Sequence, residues 1–235
     1  MPFTRPRHWL RWLIGGIVVL AALAVAGPFL YIHFFNGSTP AALTLSPSGS
    51  SAPSATSASS SAMAGSWTVG SGSVVGYRVN EVLLGQNTTA VGRSTSVTGH
   101  LTIAGSTATA ASFSVTMDTI RSDKSQRDDR FNGPIMDVAK YPTGTFALTS
   151  PVDLAPLPAA GTVKTYTVHG KLTLHGTTRA VTVTLTAQRT VSGIKVAGQI
   201  PVLFSDYNIQ NPSFAGFVTT QDHGLLEFLL VFTRS

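Results

Sequence analysis

The chain has 235 residues, of which 11% are charged, and it contains no cysteine. The lack of cysteine excludes disulfides, thiolate metal sites, a Cys nucleophile and a lipidated Cys. The formal net charge of +6 falls to +3 once Arg5, Arg7 and Arg11 are set aside, too mild a balance for a nucleic-acid footprint.

In chain order, residues 1–12 are basic and expected in the cytoplasm. Leu13–Phe35, LIGGIVVLAALAVAGPFLYIHFF, carries no Asp, Glu, Lys or Arg. A helix of this length spans roughly 34 Å, enough to cross a hydrocarbon core of about 30 Å. Trp9, Trp12 and Tyr31 near its ends suit the interface, and the arginines ahead of it place the N-terminus inside and the remainder outside. Ala24-Val25-Ala26 is also an A-x-A cleavage site behind a basic stretch, so secretion after cleavage near Ala26 is the alternative. The apolar run continues past Ala26, which favours an uncleaved signal anchor. Residues 36–65 are dominated by Ser, Ala, Thr and Pro. Too few large apolar residues are present to offset ordering entropy, so this linker is expected to be disordered. Thr39–Ala64 would then span roughly 28 Å r.m.s. and hold a domain just off a membrane.

From Ser66 the pattern changes to period two. Ala111, Phe113, Val115 and Met117 alternate with Ser112, Ser114, Thr116 and Asp118. Tyr166, Val168, Gly170, Leu172 and Leu174 alternate with Thr167, His169, Lys171 and Thr173, and Val181, Val183, Leu185 and Ala187 with Thr182, Thr184 and Thr186. One apolar face opposite one polar face indicates an antiparallel sheet solvated on one side. The alternation predicts strands at Val74–Val82, Val97–Ala104, Ala110–Thr119, Thr145–Thr149, Thr165–Leu174, Ala180–Arg189, Ile194–Phe204 and Leu225–Thr233. Tight hairpins are expected at Gly176-Thr177 and Ser192-Gly193. A sandwich and a closed barrel both fit eight such strands. The smooth hydrocarbon of the inward sets, and a last strand, LLEFLLVF, apolar on both faces apart from Glu227, favour a hollow barrel able to hold one ligand.

Several segments carry a resemblance to a known family. They are TMDTIRSDKSQRDDRFNGPIMDVAKYPTGTF (Thr116–Phe146), VHGKLTLHGTTRAVTVTL (Val168–Leu185) and SDYNIQNPSF (Ser205–Phe214), preceded by SWTVGSGSVVGYRV (Ser66–Val79). In this order and spacing they resemble the YceI-like family over about Ser66–Ser235. The resemblance implies an all-β fold, an eight-stranded antiparallel lipocalin-like β-barrel, that binds an isoprenoid or other long-chain lipid inside. Many members are soluble periplasmic proteins; the anchor and linker set this chain apart.

Eight of the charges after Ser66 crowd between Asp118 and Arg130. Asp123 is expected to cap a short helix, with Gln126 three residues on as in a capping box, and Pro134 to limit its length. Phe131, Ile135 and Met136 would form its apolar side, with Tyr141 at the mouth, making the segment a lid over an open barrel end. Arg127, Asp128, Asp129 and Arg130 either pair with one another at the surface, each pair worth under ~1 kcal/mol, or Arg127 or Arg130 holds the polar head of a ligand, such as a phosphate. A partner-protein contact is a third use of these charges.

The parity of the strands puts Tyr77, Val79, Phe113, Val115, Met117, Phe146, Leu172, Leu174, Val183, Leu185, Phe204, Phe228 and Leu230 on the inner face, which the resemblance implies contacts the lipid. No catalytic residue, metal or cofactor is expected. His169 and His175 stand six residues apart along a strand, about 20 Å, and neither a G-x-S-x-G elbow nor a dinucleotide fingerprint is present. The expected partners are a quinone tail, polyprenyl carrier or fatty-acid derivative, the membrane through the N-terminal helix, and a membrane protein, with no nucleic acid. Two alternatives stay open: a non-catalytic envelope interaction module with a side-chain-filled barrel, and a quinone-linked redox accessory.

Overall fold

The computed structural model describes residues 12–20, 39–46, 63–83, 85–213 and 218–235. Residues 12–20 form helix α1, and among the described residues no helix is long and apolar enough to cross a membrane. Residues 21–35 of the expected span, and residues 36–38 and 47–62 of the expected linker, lie outside the described residues.

Twelve strands follow: β1 (Gly65–Val69), β2 (Val74–Leu83), β3 (Gln86–Ser94), β4 (Val97–Ala104), β5 (Thr107–Thr116), β6 (Thr143–Leu148), β7 (Val152–Asp153), β8 (Val163–Leu174), β9 (Thr177–Arg189), β10 (Gly193–Leu203), β11 (Val218–Thr220) and β12 (His223–Arg234). Eight of them close an antiparallel barrel in the order β1-β4-β5-β6-β8-β9-β10-β12, with β12 returning to β1. The ring closes through Trp67↔Arg234, Thr68↔Thr233 and Val69↔Phe232. Further along, β12 pairs with β2 instead, and β2 carries β3 on its other edge. One half of this wall is therefore β1, and the other half is the β2–β3 hairpin.

Alternation explains the strands. On β8, Val168, Gly170, Leu172 and Leu174 are buried while Thr167, His169 and Lys171 are exposed. The hairpin to β9 turns at His175-Gly176, one residue earlier than the sequence suggests, with φ of 48° and 73°. Two successive left-handed residues make the two-residue turn whose twist suits a hairpin. Seven of the expected strands fall in the ring, with ends shifted by up to three residues. The eighth, Val74–Val82, is β2, and β1 takes its place in the closure. A register shift between Thr102 and Ile103 bends β4 against β5.

One charged cluster sits on the outer wall. Gln199, Glu227, Gly76 and Arg93 lie side by side across β10, β12, β2 and β3. Glu227 has outward parity yet no exposed surface. Its Oε1 accepts from Arg78 Nε and Gln199 Nε2, both at 2.9 Å, and its Oε2 pairs with Arg93 Nη2. Burial lowers the Arg93 pKa from its ordinary value, and the Glu227 carboxylate opposes that shift. The two guanidinium groups also donate outward, Arg78 Nη2 to Pro40 O at 2.7 Å and Arg93 Nη2 to Ala41 O at 3.5 Å. Residues 39–46, expected to be part of a disordered linker, thus lie on the barrel wall, with Leu43 and Leu45 half-buried.

Replacing Glu227 with Ala leaves two apposed guanidinium groups without their counter-charge. Chemical denaturation should report a loss of about 3 kcal/mol, the lower end for a broken buried pair because both arginines keep partial access to water. A loss below about 1 kcal/mol would show that the cluster contributes little to the fold.

Candidate functional site

The chain between β5 and β6 builds the end of the barrel. After β5 come a 3₁₀ turn (Met117–Thr119), helix α2 (Ser125–Arg130) and a π-helical turn (Phe131–Ile135) containing Pro134. Arg121 exchanges both backbone hydrogen bonds with Arg93, joining this segment to β3. The helix begins after Lys124, which makes no side-chain cap, so Asp123 is not the cap that the sequence suggests. Asp123 instead pairs with Arg127 one turn on. Asp128 organises the turn ahead of the helix, its Oδ1 accepting from Ser122 N at 2.8 Å and Ser122 Oγ at 2.7 Å.

The apolar side of this lid faces inward. Phe131 and Met136 are buried, and the Phe131 ring stacks on Tyr77 of β2 with centroids 5.0 Å apart. Beneath the lid lies a cavity of about 440 Å³. Tyr77, Val79, Phe113, Val115, Met117, Leu172, Leu174 and Phe204 line it, together with Phe131, Ile135 and Met136 of the lid. A second cavity, of about 130 Å³, lies toward β1 and is lined by Phe113, Phe146, Val183, Leu185, Phe228 and Leu230 among others. All thirteen residues placed inward by parity therefore face one chamber or the other. Ile120, Ile209 and Val218 also line the first chamber; all three lie in irregular or very short segments, where alternation gives no signal.

Tyr141 departs from expectation and lines neither chamber. Its ring packs edge-on against His175, with centroids 4.6 Å apart, and occupies the space a Cβ on Gly176 would take. His175 Nδ1 donates to Tyr207 O at 3.1 Å. The lid, the β8–β9 hairpin and the turn after β10 are joined at this point.

The rim of the first chamber is polar on the α2 side. Lys124, Arg127 and Arg130 line it against a single carboxylate, Glu81. Gln126 both lines the chamber and is exposed, so the chamber reaches the surface there. Arg127 is committed to Glu81, at 3.2 Å, and to Asp123, rather than to Asp128 or Asp129. Across the chamber, Thr220 Oγ1 is buried with no hydrogen-bond partner among the described residues. Burial pushes the Tyr77 phenol up to about 12, against the opposing pull of Arg127. A cationic, partly self-neutralised rim above an apolar chamber suits an amphiphile with its head at α2 and its tail inside.

The family model of the YceI-like domain matches residues 67–232. The chain belongs to the YceI-like family. No curated protein matches it. Among solved structures, it is similar to a polyisoprenoid binding domain from Saccharophagus degradans implicated in plant cell wall breakdown, at 17% identity and a TM-score of 0.60, covering 73% of this chain and 99% of that one. It is also similar to BcnA of Burkholderia cenocepacia, at 22% identity and a TM-score of 0.51, covering 66% of this chain and 95% of that one. At such identities the shared property is the fold. In this YceI-like barrel the quoted segments become the lid, the β8–β9 hairpin and the turn after β10, which meet around Tyr141 and His175.

The buried Tyr77 phenol gives the YceI-like domain an alkaline signature. A raised phenol pKa means that the folded state favours the neutral form. Its contribution is complete below the ordinary value near 10 and is lost as pH rises from about 10 toward 12. Denaturation midpoints measured across that window should fall, and Tyr77→Phe should lessen the fall. Tyr166 and Tyr207, also raised by burial, account for a remainder. An identical slope in the variant would show that Tyr77 is not held neutral by the fold.

Proposed function

We propose that this protein is a membrane-tethered, extracytoplasmic carrier that holds an isoprenoid or other long-chain lipid in its barrel and performs no chemistry on it. The observation that carries the reading is the chamber of about 440 Å³ with hydrocarbon walls and a cationic rim. A filled interaction module has no use for such a space. The similar domain described as polyisoprenoid-binding supports the tail chemistry. The apolar run Leu13–Phe35 behind three arginines supports the tether and the outside location of the barrel.

The energetics suit slow release. Burial is worth roughly 0.8 kcal/mol per methylene, so a five-carbon isoprene unit brings about 4 kcal/mol before ordering costs. Practical affinities stop near about 20 kcal/mol, so strain and ordering must offset much of the gross gain for a long tail. On the head-group side, Lys124, Arg127 and Arg130 line the rim of the chamber and supply the positive charge to meet a phosphate or carboxylate.

Native mass spectrometry of gently prepared protein should show a stoichiometric lipid mass. Phe131→Asp, which sets a charge at the inner face of the lid, should abolish that mass while circular dichroism keeps the β spectrum. Protein that carries no lipid from any host membrane extract, or a variant with unchanged occupancy, would overturn the reading.

A further inference from the structure

The interior is divided. Phe113 is the one described residue that lines both chambers. Its ring stacks on Phe146 of β6, with centroids 5.5 Å apart, and meets Phe228 of β12 at 5.4 Å. Phe113 and Phe146 are register partners on neighbouring strands, whereas Phe228 comes from β12, which is separated from β5 by β4 and β1 around the ring. Together the three rings form a partition across the barrel.

The wall makes room for this partition. Gly170 and Gly198 face inward on β8 and β10. A Cβ on Gly170 would lie 2.4 Å from the Phe146 ring, and one on Gly198 would lie 2.6 Å from Phe228 Cζ. Each glycine leaves room for one ring at a point where a side chain would collide with it. The surrounding residues Val75, Leu172, Val183 and Ile200 have almost no exposed surface. At its far end the smaller chamber meets Met63, whose carbonyl accepts from Trp67 Nε1 at 3.1 Å.

We infer that Phe113, braced by Phe146 and Phe228, is the stop that sets how long a tail the barrel accepts. The inference rests on the lipid-binding reading above and adds a specificity determinant to it. A tail entering under the lid runs down the larger chamber and ends against Phe113, with Phe146 and Phe228 behind it; the smaller chamber stays closed to it. Barrel depth alone would let the tail run on toward Met63. The partition confines it to the lid-side half, so tails are selected by length at an internal wall.

The test uses the full chain in lipid nanodiscs, with empty nanodiscs as blank. The protein is equilibrated with an equimolar ladder of all-trans prenols of increasing length and re-isolated, and the retained prenols are quantified by mass spectrometry. Wild-type protein should show a sharp upper length. Phe113→Ala should move that limit by at least one isoprene unit, with about tenfold or greater gain in retention of the first excluded prenol. Because Phe→Ala in a core can compromise folding, Phe113→Leu provides a milder opening and should shift the limit in the same direction. A merely structural role for Phe113 would lower stability and leave the length profile in place. Wild-type retention of every length, or an unchanged limit in both variants, overturns the stop while leaving lipid binding intact. Failure of the wild type to retain any prenol above blank overturns both.

Discussion

The short ladder between β1 and β12 is the constraint on which the interior depends. It spans three residue pairs, and among the described strands it is the pairing that joins the two ends of the eight-strand sheet into a ring. Trp67 reinforces it from both directions, holding Met63 O through its indole N–H and lying under the Arg234 guanidinium at 4.9 Å. Once eight strands are closed, the circumference is fixed, and inward side chains either fill the enclosed space or leave it. Here three aromatic rings fill the middle and leave hollows on either side. Cavity, lid and partition are all consequences of closure at this circumference.

Closure by β1 covers only part of the height of the wall. At the other end β12 has turned to β2, and the β2–β3 hairpin meets the rest of the barrel through the Arg93–Arg121 bridge. The lid segment fills that opening. Its charges follow from the position: one side of α2 meets water, while Phe131 and Met136 on the turn that follows face hydrocarbon. The charge crowding between Asp118 and Arg130 is therefore the polar half of an amphipathic closure. Its internal pairs, Arg127 with Asp123 and with Glu81 of β2, tie the closure to the wall.

The barrel was legible in the sequence wherever a strand was long and half-buried. Val97–Ala104 appears with the expected ends, and the β8–β9 pair is displaced only at its turn and outer ends. Inner-face parity was equally readable, because a period of two leaves no freedom once one residue is fixed. What alternation could not supply was anything set by non-local geometry. β1 is five residues long and β3, QNTTAVGRS, mixes Gly and Thr without a clear apolar face. Asp123 and Gln126 had the spacing of a capping box, but the pull of Arg127 on Asp123 and of Ser122 on Asp128 moved the helix start. Tyr141, expected at the mouth with the lid residues, has its ring at the hairpin instead, against His175 in the space that the absent side chain at Gly176 leaves. The partition was invisible for the same reason. Parity shows that Phe113, Phe146 and Phe228 point inward, and only the closed ring brings them together.

The contact between residues 39–46 and the outer wall fixes a length. Pro40 is held by Arg78, and Phe35, the last residue of the apolar run, stands five residues before it. Five residues can reach at most about 18 Å when fully drawn out. If that run spans a bilayer as proposed, the barrel is moored close to the lipid surface by its β2–β12 side instead of ranging on a long leash. Tyr77, which faces the larger chamber, immediately precedes Arg78 in the chain, so the wall that lines the chamber is also the wall that carries the mooring.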